Sequence, residues 1–236
     1  MYQFVVQYRF TVLLAALALL IVASPMISHI VPEAEIGIRE SLLTVLFAVM
    51  LVTAVAAVSA TRVARFFAIG IGSLAILSQI LNTAVHENVA FVAHHCLQAV
   101  FLGVIVVLAV RQLFATTRVA LDTISASLCV YLMLGVFWSS LYALVDVYEA
   151  GAISGLPGQS PAVDVASDQT ERSVGLLYFS YVTLTTLGYG DVTPTMAFSR
   201  MLAVTESITG QLFLVVLVAR LVGLHIAASR DEIDRV

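Results

Sequence analysis

The sequence contains no lysine; all 11 of its basic residues are arginine. Charge of either sign is scarce, since 11% of the 236 residues are charged where a soluble domain carries about a quarter. That scarcity excludes an ordinary soluble enzyme, a disordered chain and a nucleic-acid binder. Cysteine is almost absent as well. Cys96 and Cys129 both lie in apolar runs, which argues against a disulfide framework and reads as small buried hydrophobes. No repeat of about 20–50 residues is visible, so a solenoid is not indicated. What the chain has instead is apolar residues, 61% of the total with a mean hydropathy of +1.03, the composition of a protein that uses lipid as its main solvent.

The apolar residues are organised in runs. Thr11 to Pro32, Ser41 to Thr61, Phe66 to Val85, Asn88 to Val110 and Thr123 to Val145 are free of charge, and Met201 to Ala219 carries only Glu206. Each is long enough to cross a hydrocarbon core about 30 Å thick, so the expected fold is an all-α integral membrane protein with six transmembrane helices. The first run is too long for a signal peptide and lacks a clean cleavage site. Arg9, Arg62, Arg65, Arg111, Arg118, Arg220, Arg230 and Arg235 flank one set of ends, against Arg39, Arg172 and Arg200 on the other. The positive-inside rule then predicts cytoplasmic termini in a plasma (inner) membrane, with an external loop from Tyr148 to Arg172. Only a short tail follows the last run, so no soluble regulatory domain is expected in the chain.

Between the fifth and sixth runs lies a shorter apolar segment, Ser173 to Leu184. As a helix it would span about 18 Å, too little to cross, so it is expected to enter and leave on one side. Thr185, Thr186, Leu187, Gly188, Tyr189, Gly190 and Asp191 follow it. Non-helical backbone at membrane depth needs partners for its carbonyls that lipid cannot supply and a dehydrated cation can. Alternating glycine allows left-handed angles, so that successive carbonyls can face one axis, and the C-terminal end of the preceding helix adds a partial negative charge.

The run Thr186-Leu187-Gly188-Tyr189-Gly190-Asp191 resembles the potassium-channel signature T-V-G-Y-G-D, with leucine in the valine place. Around it, Ser180, Thr183, Thr185 and Thr186 fall where that family has small pore-helix hydroxyls, and Gly210 falls where it commonly has an inner-helix hinge glycine. The resemblance implies a pore domain over residues 119–236 (outer helix, turret, pore helix, filter, inner helix). Before it, residues 1–118 would form a peripheral four-helix domain resembling a voltage sensor without gating arginines. It further implies that the carbonyls of Thr186, Leu187, Gly188 and Tyr189, with the Thr186 hydroxyl, bind K+ as the permeant ion. Thr185, Gly190, Asp191, Tyr178 and Val182 would support the filter, no other cofactor is implied, and the assembly would be a homotetramer in membrane lipid.

The sequence departs from the family pattern at several places. Tyr178 and Phe179 stand where many members have tryptophans, and Val182 stands where some bacterial members have a glutamate that pairs with the filter aspartate. Asp191 is therefore expected to have fewer partners, which predicts gating partly at the filter and a changed open-state stability in a Val182→Glu channel. From Asn88 to Val110 no arginine occurs, so opening is not expected to be steeply voltage-dependent. Two gating candidates lie on the last span, Glu206 and Gly210, four residues apart and so on one face. Glu206 is read either as support behind the filter, accepting from hydroxyls such as that of Thr183, or as a direct gating or proton-sensing group. Gly210 is read as a hinge or as a close-packing residue.

The remaining candidates are less specific. His94 and His95 are adjacent on a helix, diverge by about 100°, and so make a poor metal chelate; hydrogen bonding between helices or a wet crevice suits them better than pH sensing. Trp138, Tyr142 and Tyr148 read as an aromatic belt at the external end of the fifth run. Two alternatives compete with a potassium-selective channel. One is a weakly selective monovalent cation channel of the same fold. The other is a haem-binding membrane oxidoreductase using His29, His94 or His95, although the five histidines show no paired spacing. No nucleophile pattern for an enzyme is visible.

Overall fold

The computed structural model describes residues 9–31, 36–58, 62–85, 88–115, 121–156 and 165–233. In order, these form α1 (Arg9–Ile30), α2 (Ile36–Val58), α3 (Arg62–Val85), α4 (Asn88–Ala115), α5 (Leu121–Tyr148), β1 (Ile153–Ser154), α6 (Val165–Leu184), β2 (Thr193–Pro194) and α7 (Ala197–Ile233). Long uninterrupted helices are the form this composition dictates. Backbone N–H and C=O groups surrounded by lipid must be paired within the segment, and a helix does that alone. Among the described residues, five helices are long and apolar enough to cross a membrane, namely α1, α2, α4, α5 and α7. The remaining candidate, α3, is a 24-residue helix with an apolar stretch at Ala68–Leu81.

α1 to α4 pack against one another, α1 on α2, α2 on α3 and α3 on α4. Both α1 and α4 then lie against α5 of the same chain, and α5 also touches α6 and α7. α5 is thus the spine between the peripheral helices and the C-terminal elements. Its buried face, including Val130, Met133, Val136 and Tyr142, continues the core begun by Leu13, Leu17, Met50 and Phe101.

The short helix differs from expectation. It begins at Val165 rather than Ser173 and runs for 20 residues, because its first turns are polar and a search for charge-free residues passes over them. Those polar turns are tied down by ion pairs. Arg39, only 2% exposed, pairs with Glu171 at 3.3 Å, and Arg172 pairs with Asp146. These pairings explain why arginines can stand at the arginine-poor ends of the spans, since a buried cation is tolerated only when matched. Above α6, β1 and β2 form an antiparallel pair with Ile153 opposite Pro194 and Ser154 opposite Thr193. Cys129 is buried, with its Sγ donating to the Phe10 carbonyl, whereas Cys96 is exposed, unlike the buried residue expected. The aromatic belt is also corrected. Trp138 and Tyr142 are buried, because that face of α5 packs on protein, and only Tyr148 is exposed.

Candidate functional site

The site is built where α6 ends. A helix leaves its last four carbonyls without intrahelical partners. Here all of them are met. The Tyr181 carbonyl accepts from the Thr185 N–H and hydroxyl, and the Val182 carbonyl accepts from the N–H groups of Leu187 and Gly188. The Thr183 carbonyl accepts from the Thr186 N–H and the Ser207 hydroxyl, and the Leu184 carbonyl accepts from Tyr131. The Leu187-to-Val182 and Thr186-to-Thr183 bonds together form a Schellman cap, which requires a left-handed residue at position 186. Thr186 adopts that conformation, with φ 57°. Glycine is usual there, and a residue with a side chain costs roughly 1–2 kcal/mol. The threonine brings a hydroxyl, which donates to the Thr185 carbonyl at 2.7 Å and accepts from Gln211 Nε2 at 3.5 Å.

From there the left-handed conformation recurs at alternate residues, with φ 60° at Gly188 and φ 80° at Gly190. Glycine takes these angles without strain. Thr185 to Asp191 are all exposed in the single chain, with Leu187 at 54% and Tyr189 at 68%. Leu187 is thus only partly covered by its own chain. Asp191 is held by the Tyr178 hydroxyl, which donates to Oδ2 at 2.7 Å. This bond, assisted by the N–H groups of Val192 and Asp191, holds the Asp191 carboxyl below the usual carboxylate range against the opposing effect of partial desolvation. Val182 and Phe179 are buried, and Phe179 packs edge-on to Tyr142 with ring centroids 4.8 Å apart.

A depressed carboxyl stabilises the folded mouth at neutral pH and loses that contribution as the pH falls through its folded-state value. Tyr178→Phe removes the first cause of the depression. The variant is therefore expected to lose thermal stability at a higher pH than the parent during acid titration. Superimposed titration curves would contradict this assignment.

Behind α6 sits Glu206 of α7, fully buried. Its Oε1 lies 2.5 Å from Ser180 Oγ, and its Oε2 accepts from the Tyr142 hydroxyl at 2.5 Å. The α6 hydroxyl at this acid is therefore that of Ser180 and not that of Thr183, because the register of α7 on α6 places Glu206 level with Ser180. Four residues further on each helix, Gly210 lies against Leu184, and a Cβ on Gly210 would stand 2.5 Å from the Leu184 carbonyl oxygen. α7 is helical through Gly210 without interruption. One flank of α7 is bare, with Met201, Ile208, Leu212, Val215 and Val218 all exposed.

Sequence reasoning missed three further positions. Gly135 of α5 lies against the Tyr181 ring, which a Cβ would meet at 2.3 Å. Gly155, with φ 85°, lies against the Asp191 carbonyl, which a Cβ would meet at 2.0 Å. Ser199 donates to the Ala152 carbonyl at 2.8 Å, tying the start of α7 to the β1 turn. Only the positive φ at Gly155 has a sequence trace, as a glycine in a loop. The histidines lie elsewhere. His94 and His95 are buried in α4, and His94 Nδ1 is 3.3 Å from Ser78 Oγ of α3. His29 is exposed on α1, while His86 and the side chain of His225 lie outside the described residues. Among the described residues, no group of three or more His, Cys, Asp and Glu side chains could hold a metal ion.

The ion-channel family model matches residues 159–225, which include α6, the loop after it and most of α7. The chain is 30% identical over 124 residues to Protein LctB of Bacillus caldotenax, covering 52% of this chain and 88% of that protein. It is 29% identical over 93 residues to Two pore potassium channel a of Oryza sativa subsp. japonica, covering 39% of this chain but only 21% of the plant protein. No solved structure matches.

Proposed function

The chain belongs to the ion-channel family, and from that premise we propose that it forms a potassium-selective pore lined by the backbone of residues 186–189. It is a multi-pass membrane protein and a channel rather than an enzyme, which removes the haem oxidoreductase reading. The observation that carries potassium selectivity is the alternation of left-handed angles at Thr186, Gly188 and Gly190 directly after a helix whose terminal carbonyls are already paired. Carbonyls of a backbone alternating in this way can face one side, and the carbonyls of Thr186 to Tyr189 can replace the hydration shell of K+. The likeness to a plant protein named as a potassium channel supports the same ion. The alternative is a weakly selective monovalent cation channel, in which the half-exposed Leu187 leaves the filter less firmly backed.

One chain supplies one strand of ligands, so a ring requires several copies, and four such loops enclose K+ in the family. The exposed filter and the bare flank of α7 fit that requirement, because both need cover that this chain does not supply. The working unit is therefore a homotetramer with six crossings per chain, α3 being the sixth. Its termini are cytoplasmic, and the β1–β2 turret and filter mouth are external. Residues 1–118 serve as the peripheral domain and 119–236 as the pore domain. Purified protein in liposomes is expected to release K+ down its gradient when a proton carrier balances charge, and to fail to do so with Gly188→Ala. Equal release from liposomes bearing both proteins would contradict the filter assignment.

Gating charge is absent from α4 between Asn88 and Val110. A charge crossing the field contributes about 2.3 kcal/mol per 100 mV, and α4 offers none at membrane depth. Conductance is expected to stay nearly flat with voltage, and a curve steep enough to require several gating charges would contradict this.

A further inference from the structure

We propose that Glu206 is a positioning residue for the filter, a neutral carboxylic acid whose single proton goes to Ser180 and so completes a hydrogen-bonded chain joining α7, α6 and α5. The filter role rests on the channel reading above; the proton's location does not.

The contacts around Ser180 need one more hydrogen than an ionised Glu206 allows. Ser180 Oγ lies 2.8 Å from the Gly135 carbonyl oxygen and 2.5 Å from Glu206 Oε1. A serine hydroxyl has one hydrogen to give. Given to Glu206, it leaves the Ser180 lone pairs facing the Gly135 oxygen at 2.8 Å with no hydrogen between them. Given to Gly135, it leaves the contact with Oε1 in need of a hydrogen, and only Glu206 can provide one. The second arrangement places a hydrogen in every contact, with Tyr142 donating to Oε2 at 2.5 Å.

The surroundings agree. Glu206 is 0% exposed, and a buried carboxylate is sustained by a cation or by several donors. Among the described residues, the titratable groups facing it are Tyr131 and Tyr142 of α5 and Tyr181 of α6. Tyr131 gives its hydrogen to the Leu184 carbonyl and Tyr181 gives its hydrogen to the Leu132 carbonyl, so Tyr142 alone serves the acid. Earlier on α7, Arg200 directs its Nε to the Pro194 carbonyl. The described ion pairs, Arg39 with Glu171 and Arg172 with Asp146, do not reach Glu206. Gly135 completes the arrangement, since any side chain there would strike the Tyr181 ring and hold α6 away from the carbonyl that Ser180 uses. Ser180 lies one turn above Leu184, where α6 gives way to the filter. The chain therefore sets the height and tilt at which the filter begins.

The test has a spectroscopic and an electrical arm, both on the full-length reconstituted protein. Infrared difference spectra of parent against Glu206→Gln at neutral pH are expected to show the carbonyl stretch of a protonated carboxylic acid in the parent and its loss in the variant. In bilayers, Glu206→Gln should keep open probability within about twofold, because an amide can donate to Ser180 and accept from Tyr142. Glu206→Val and Ser180→Ala should lower it about tenfold by leaving buried polar groups unmatched. A spectrum without that band, or a glutamine variant that falls as far as the valine variant, overturns the proposal. A parent that shows the band but carries no current supports the proton assignment and sinks the channel reading instead.

Discussion

Gly155→Ala is expected to abolish conduction and to destabilise the packing of β1 on the end of the Thr186–Asp191 loop by about 3 kcal/mol, roughly a hundredfold loss of the competent form. Two costs combine at this position. The residue sits at φ 85°, where a side chain is strained, and its Cβ would stand 2.0 Å from the Asp191 carbonyl oxygen and 3.2 Å from the Val192 Cα. Both atoms belong to backbone, so no side-chain rotation relieves the contact. Either the β1–β2 pair separates or the end of the filter moves. Gly151 provides the control. It has a similar φ of 83° but nothing within 4 Å of its Cβ position, so Gly151→Ala should lose only about 1 kcal/mol from strain. Thermal melting of both variants in detergent, with ion flux in liposomes, measures the difference. If the two alanine variants melt and conduct alike, the contact between Gly155 and the filter mouth is not what holds the mouth in place.

Gly210→Ala separates two roles by the sign of its effect. A glycine kept in a helix only for bending should gain about 1 kcal/mol on becoming alanine, since alanine is the better helix former. At Gly210 the new methyl would stand 2.5 Å from the Leu184 carbonyl oxygen and 2.9 Å from its Cδ1. Crowding of this kind costs about 2 kcal/mol even after relaxation, and here it pushes α7 away from the end of α6. The expected result is a lower melting temperature and a loss of current. Gly223→Ala, on the same helix with nothing within 4 Å, should instead be slightly stabilising. A Gly210→Ala protein that melts higher than its parent would return the residue to the role of a hinge.

What could be read from the residues alone was local in the chain. The loop from Thr186 to Asp191 is one short segment, and its glycine alternation matches the left-handed angles at Gly188 and Gly190. The same angle at Thr186 was not legible, because it follows from the Schellman cap and not from the residue type. The helix before the Thr186–Asp191 loop is longer than its apolar part, since its polar first turns resemble a loop in the sequence and are held by pairing with Arg39 and Asp146. Partners distant in sequence stayed hidden for a related reason. Glu206 stood out as an acid in an apolar span, yet its pairing with Ser180 depends on the register between α6 and α7, and its pairing with Tyr142 reaches back 64 residues. Tyr142 looked like an interfacial aromatic because hydropathy does not reveal which face of α5 meets protein.

In the proposed pore, main-chain oxygens of residues 186 to 189 take the place of water around K+. The most direct measurement is the reversal potential of the purified protein in a planar bilayer, with potassium on one side and sodium on the other. A reversal potential close to the potassium equilibrium value is the predicted result; one near zero, with sodium carrying comparable current, would contradict it.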